Sequence, residues 1–233
     1  TNMKDEPYPS VDSKYKWVML ALIWLGYFAF GVITYCLPPL ITPIAQDLSL
    51  TYSQIGSILG AFILIYIPLS VPVGILIDRA GMRKAIIAAI ALIPLSALLQ
   101  SFTTNFQTLF LAMCAVGIGG PFLSVGSPKM VASWFSGKQR GLASGLYMTG
   151  GFIGSSTATV ITNPIVLPLV GTWRNALRLY ALLGFLITFI WLLLARDTPQ
   201  TPSGHTKTRL SETLGKLLRE KHVWTIIIIA FSA

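Results

Sequence analysis

An all-α membrane protein, a bundle of six spanning helices, is the fold class this sequence predicts, and three observations predict it. Charged residues make up only 11% of the chain and apolar ones 54%, with a mean hydropathy of +0.70, whereas a soluble domain carries about 25% charged residues. The apolar residues fall into runs near the roughly 20 residues that a helix needs to cross a bilayer. Those runs are long and do not alternate, which favours helices over the short alternating strands of an outer-membrane barrel.

Residues 1–16 are polar, hold Pro7 and Pro9, and read as a cytoplasmic tail. The first span covers 17–37 and stops near Pro38 and Pro39, because proline donates no helical hydrogen bond. One of its faces carries Tyr27, Gly31, Thr34 and Tyr35, either as packing or as the wall of a cavity. Residues 39–53, with Asp47 and no basic residue, read as an outer loop. The second span, 55–77, contains Pro68 and Pro72, which should bend it, and places Tyr66 and Ser70 on one face. The third, 85–102, holds Pro94 and ends in the polar turn 100–105.

The fourth span, 109–134, contains Gly117, Gly119, Gly120, Pro121, Gly126 and Pro128. It is predicted to be the most broken of the set and therefore a cavity wall, where irregular backbone is tolerated. The fifth follows the loop 133–145 and runs uncharged to about residue 170, with Pro164 and Pro168 breaking it at the outer face. Gly141 with Gly145, and Gly150 with Gly154, place small residues four apart, a spacing that lets helices pack closely. The sixth opens at GTWRNALR and ends near residue 195, so the six-helix bundle spans 17–195. Residues 196–222 form a cytoplasmic linker in which Leu210, Leu214, Leu217 and Leu218 recur at helical spacing, as in an interfacial amphipathic helix. Residues 223–233 begin a seventh apolar run too short to cross a bilayer.

A net charge of +9 invites a nucleic-acid reading, which fails once the charges are placed. With the N-terminus inside, Lys4, Lys14, Lys16, Arg79, Arg83, Lys84, Lys129, Lys138, Arg140, Arg196 and the basic residues of the linker all fall on the inner side. Only Arg174 and Arg178 fall outside, as basic residues in short loops orient a multi-pass protein of the cytoplasmic membrane. The basic balance reports topology and contact with anionic lipid, with no nucleic acid implied. Cys36 and Cys114 lie in spans, where thiols act as small apolar side chains, and no metal site, cofactor or disulfide framework is expected.

The stretch GILIDRAGMRK, residues 74–84, is a charged loop between two uncharged runs. Its spacing of Gly74, Asp78-Arg79, Gly81 and Arg83-Lys84 resembles the loop between helices 2 and 3 of the major facilitator superfamily of secondary transporters. The connection SWFSGKQRGLASG, residues 133–145, and the pair Trp173-Arg174 are similar to the same family. The resemblance implies the N-terminal half of a twelve-helix fold, a pair of inverted three-helix repeats, followed by the start of helix 7. The missing C-terminal six-helix half would be the partner, with the solute site between the halves.

By that resemblance Gly74 lets helix 2 pack on a helix of the other half, and Asp78 faces the positive end of that helix as a conformational latch. Met82 stands where the family usually has a basic residue, which leaves Arg83 as the expected pairing cation. Met113 stands where many proton-coupled members carry an arginine, and the fifth span lacks the Gly-Pro pair of drug exporters. The candidate cavity residues are Tyr27, Gly31, Tyr35, Tyr66, Met113, Lys129, Tyr147 and Gly151. Lys129 is five residues from Trp134, so its ammonium either snorkels to the inner surface or faces the cavity and favours an anion.

The function implied is alternating-access transport of a small organic solute, a carboxylate or another anion. Nitrate or nitrite is an alternative, weakened by the absence of an arginine in the second span. A receptor or assembly partner on the same fold is a second class. No nucleophile–base pair or metal cluster sits in any span, so an enzyme is not expected.

Overall fold

The structure is a computed structural model in which residues 14–196 are described. The linker, the seventh apolar run and most of the N-terminal tail lie outside the described residues. Among the described residues eight α-helices form: α1 (Tyr15–Tyr35), α2 (Ile41–Asp47), α3 (Tyr52–Ala80), α4 (Met82–Ser101), α5 (Phe106–Trp134), α6 (Lys138–Ile161), α7 (Leu167–Val170) and α8 (Trp173–Leu194). Six membrane-capable helices result, α1 continuing into α2 and α6 into α7.

Polar side chains cap the start of three of these helices. Thr51 and Gln54 form a reciprocal capping box at α3, Asn105 and Thr108 form another at α5, and the Thr172 side chain accepts from the Asn175 N–H at α8. Each satisfies amide groups that a helix's first turn leaves without partners. In the apolar stretches between, every backbone donor and acceptor must pair within the chain, and a helix meets that demand.

The packing pairs α1 with α6 and α8, α5 with α3 and α4, and α4 with α8. Exchanging the first three membrane helices with the last three maps α1–α6 onto α5–α3 and α4–α5 onto α8–α1, and leaves α4–α8 in place. This is the pattern of two three-helix repeats of opposite orientation. Buried Ile23, Ile33, Ile86, Ile93, Val116 and Leu123 fill the centre. Leu64, Ile67, Leu111, Phe152 and Leu182 point outward, as lipid-facing helices require.

Four expectations change. Residues 39–53 are not a plain loop: a 3₁₀ turn, Pro38–Leu40, leads into α2. Pro38 and Pro39 occupy a first turn where a missing N–H costs nothing, and buried Leu40 and Ile44 hold the segment down. The charged loop 74–84 shrinks to one residue, because Asp78 and Arg79 finish α3, and Met82, Arg83 and Lys84 begin α4. Gly81 alone joins them, at φ 90° and ψ 149°, a conformation open only to glycine.

The fourth span is not broken. α5 is continuous over 29 residues, with Pro121 and Pro128 inside it, and its glycines serve close approach instead. A methyl at Gly117 would lie 2.8 Å from the Phe62 carbonyl oxygen of α3, and one at Gly119 3.0 Å from the Ile93 side chain of α4. Pro164 does not interrupt the fifth span either. The turn widens into a π-helix at Thr162–Val166 and the chain stays helical to Val170, a local adjustment that relaxes the backbone where an N–H is missing.

Candidate functional site

The helices cross an even number of times, so Lys14, Lys16, Asp78, Arg79, Arg83, Lys84, Lys129, Lys138, Arg140 and Arg196 gather at one end of the bundle. At that end Lys16 donates to the Gln139 side chain at 2.8 Å, and Arg196 stacks on the Tyr15 ring. The same ends meet again where the Tyr15 hydroxyl donates to the Leu194 carbonyl. Asp78 forms an ion pair with Lys129, which brings the last turn of α3 against the end of α5. Lys129 is the cation on Asp78 where Arg83 was expected. The pair also fixes the level of Lys129, at the basic end beside Asp78 and away from the middle of the bundle.

Half-buried side chains from α1, α3 and α5, with buried Tyr147 of α6, form a second group toward the centre. Tyr27 packs on Tyr147 with ring centroids 4.8 Å apart, Phe30 on Phe62 at 6.0 Å, and Phe62 on Tyr66 at 5.3 Å. The Tyr66 hydroxyl donates to Ser124 Oγ at 2.8 Å, and the Ser124 hydroxyl in turn reaches the Pro121 carbonyl. Gly120 makes room for this group, since a methyl there would come 2.8 Å from the Tyr66 ring. The face is aromatic and hydroxylated, and the charged residues of the described chain lie elsewhere, toward the two ends.

Of the candidate cavity residues, Tyr27, Tyr66, Tyr147 and Gly151 share this region, Gly151 lying beside the Tyr27 ring. Three others are placed apart, and Gly31 is taken up in packing against Gly151. Met113 is 3% exposed within the core, and Tyr35 is at the far end of α1 and half exposed. Lys129 stands with Asp78. Gly31 lies at the crossing of α1 with α6, where a methyl would come 2.3 Å from the Gly151 carbonyl oxygen.

The expected packing glycines divide in the same way. Gly150 and Gly154 meet the Trp24 and Phe28 carbonyl oxygens of α1, at 2.5 and 2.3 Å from a methyl placed on each, whereas Gly141 and Gly145 have no neighbour that close among the described residues. The small-residue spacing therefore serves the α1–α6 contact only in its second pair. Gly74 has Val125 at ordinary contact distance, 3.8 Å, and no tighter neighbour in this bundle.

At the opposite end Arg174 pairs with Asp47 and also donates to the Thr103 carbonyl at 2.9 Å. Trp173 Nε1 donates to the same carboxylate at 3.2 Å, and the guanidinium stacks on the Trp173 ring. This knot binds α2, the turn after α4 and the start of α8. Sequence reading passed over it because the partners are 127 positions apart. Phe30, Phe62 and Ser124 were likewise missed, since each carries no charge and has a partner on another helix.

The sequence profile of the Major Facilitator Superfamily matches residues 23–233. The chain belongs to that superfamily. Among its relatives, the nitrate/nitrite transporter NrtP of Picosynechococcus sp. is 31% identical over 160 residues, covering 68% of this chain and 29% of that protein. The probable galactarate/D-glucarate transporter GudP of Escherichia coli (strain K12) is 30% identical over 172 residues, 70% of this chain and 37% of that protein. The chain thus spans about a third of the length of these relatives.

Among solved superfamily structures, a bacterial homologue of the human lysosomal transporter Spinster, inward-facing and occupied, aligns with a TM-score of 0.73 at 20% identity, covering 80% of this chain and 46% of that one. FucP in its outward conformation aligns with a TM-score of 0.69 at 19% identity, covering 89% and 57%. At these identities the likeness establishes the fold.

Proposed function

We propose that this bundle is one half of a secondary transporter that moves a small organic anion, a hydroxylated carboxylate first among candidates, by alternating access. The names of the relatives support an anion: nitrate or nitrite for NrtP, galactarate and D-glucarate for GudP. The observation that carries the organic reading is the uncharged face of Tyr27, Tyr66, Ser124 and Tyr147. Aromatic rings and hydroxyls suit the carbon skeleton and hydroxyl groups of an organic solute, and leave its carboxylate to be met by a second six-helix bundle packed on the open faces of α3 and α6.

In this reading the chain lies in the cytoplasmic membrane with its basic end and N-terminus inside. The Asp78–Lys129 pair belongs to the latch that the two bundles close at that side. Nitrate is the second reading, favoured by the 31% identity to NrtP.

The test is uptake by the full-length protein reconstituted in vesicles, with labelled galactarate, galactonate and nitrate offered separately. Saturable flux of a sugar acid that nitrate does not compete for is the expected result. Saturable nitrate flux alone would replace it with the second reading, and binding without flux of either solute would point to a receptor.

A further inference from the structure

We propose that Arg178, at the end of the bundle opposite the basic residues, binds the phosphate of a phospholipid whose acyl chain lies along the exposed stripe of α8. Arg178 is exposed in the second turn of that helix. Its Nε donates to Ser101 Oγ at 3.4 Å, one Nη donates to Asn175 Oδ1 at 3.1 Å, and the guanidinium lies 5.1 Å from the centre of the Phe102 ring. All of these partners are neutral. The two carboxylates of the described residues, Asp47 and Asp78, are paired with Arg174 and with Lys129. An arginine offers five N–H donors in a planar fork, and three of them have no acceptor among the described residues. The neutral partners are themselves fixed. The Ser101 hydroxyl donates to the Leu98 carbonyl at 2.7 Å, and the Asn175 amide donates to the Val170 carbonyl at 3.0 Å, which leaves its oxygen for Arg178. The fork is thus held in place with its charge uncompensated, an arrangement that two phosphate oxygens meet with charge-assisted bonds.

Depth and surface commit the site to lipid. Ser101 ends α4, whose 20 residues span about 30 Å, the thickness of the hydrocarbon core of a bilayer. Arg178, bonded to Ser101, therefore stands at the boundary between headgroups and acyl chains. From it Leu182, Leu186, Phe189 and Leu193 follow at intervals of three or four residues, which places them on one face of the helix, and all four are exposed. Phe102, beside the guanidinium, is exposed as well. A cation at headgroup level that heads an apolar stripe running into the membrane matches both parts of a phospholipid, whereas free phosphate would use only the first.

The test uses the full-length protein in mixed micelles with a phosphatidylglycerol whose acyl chain carries a photoactivated diazirine, and peptide mass spectrometry reads the labelled positions. Label is expected at Leu182 and Leu186. Unlabelled phosphatidylglycerol should compete it away, while the matching diacylglycerol, which has the chains and no phosphate, should need about a fivefold higher concentration, the share that one cation at a membrane surface contributes. Inorganic phosphate should not compete. Arg178→Gln should lower the label at these two positions about fivefold, and Lys138→Gln/Arg140→Gln, at the other end, should leave it unchanged. Equal competition by diacylglycerol would reduce the stripe to ordinary contact with lipid, and competition by inorganic phosphate would assign the arginine to the free anion. Either result overturns the proposal, and neither depends on a variant that must fold. Absence of label from α8, or undiminished label after Arg178→Gln, overturns it as well.

Discussion

Lys129, near the end of α5, closes an ion pair on Asp78 in the last turn of α3, 51 positions away in the chain. Both side chains keep solvent access in this bundle, at 37% and 61% exposure, so the pair acts as a surface contact with a stabilising effect of roughly 1 kcal/mol or less. Its importance is therefore conformational. It decides how the ends of α3 and α5 are held at the face that would meet a second bundle.

Lys129→Ala and Asp78→Ala should each leave folding nearly unchanged, with unfolding midpoints within a few degrees of the parent, and lower the uptake rate several-fold. The exchanged pair Asp78→Lys/Lys129→Asp should recover much of that rate, which separates a latch from a solute contact. Uptake assays on the full-length protein check this. If Lys129→Ala changes KM for the anion and leaves kcat alone, the lysine binds solute.

The α1–α6 contact rests on close approach of two backbones. Gly154→Ala would place a methyl 2.3 Å from the Phe28 carbonyl oxygen, and Gly150→Ala one 2.5 Å from that of Trp24. Overpacking of this kind costs about 1–3 kcal/mol, and neither neighbour is a flexible side chain that can turn aside. Gly141→Ala, with no described residue within 4 Å of the added methyl, should be neutral or slightly stabilising through better helix propensity. Thermal unfolding in detergent ranks the three.

The six spans and their order were legible because lipid leaves few solutions: a run of about 20 apolar residues is a helix. The family resemblance was legible in Gly74, Asp78, Gly81 and Trp173-Arg174. Breaks in the helices were misread. Glycine and proline in α5 and Pro164 at the end of α6 signal disruption in water, but in this bundle they permit close packing or a π turn. The site was only partly legible, since the Tyr66–Ser124 bond, the Phe30–Phe62 contact and the Asp47–Arg174 pair all join residues whose sequence spacing carries no pattern.

Gly81 is the only residue between α3 and α4, at φ 90°. An alanine there must adopt a backbone conformation that costs about 1–3 kcal/mol, or the hairpin must open. Gly81→Ala should lower the unfolding midpoint and loosen protection of the amides at the end of α3 and the start of α4, measured by hydrogen exchange. Retained protection with an unchanged midpoint would show that the turn tolerates a side chain.

Arg174 makes three contacts at the opposite end: the Asp47 carboxylate, the Thr103 carbonyl and the Trp173 ring. A lysine keeps the charge but lacks the planar fork needed to hold all three. Arg174→Lys should therefore destabilise by about 1 kcal/mol, close to the effect of Asp47→Asn. The double variant should cost less than the sum, because both substitutions disrupt one network. Additive losses in thermal unfolding would mean that the two residues act separately.

Tyr66→Phe is the sharpest probe of the central face. It removes one hydroxyl, the donor to Ser124 Oγ, and keeps the ring that packs on Phe62 and fills the space at Gly120. Stability should change by about 1 kcal/mol or less, the net worth of a hydrogen bond. If this face reads the hydroxyls of the solute, KM for galactarate should rise several-fold. Inhibition by adipate, the same six-carbon diacid without hydroxyls, should stay as it was, because the lost group has no partner on that ligand. Equal loss for both diacids would place Tyr66 in the general packing of the bundle. An unchanged KM for both would remove it from the solute path.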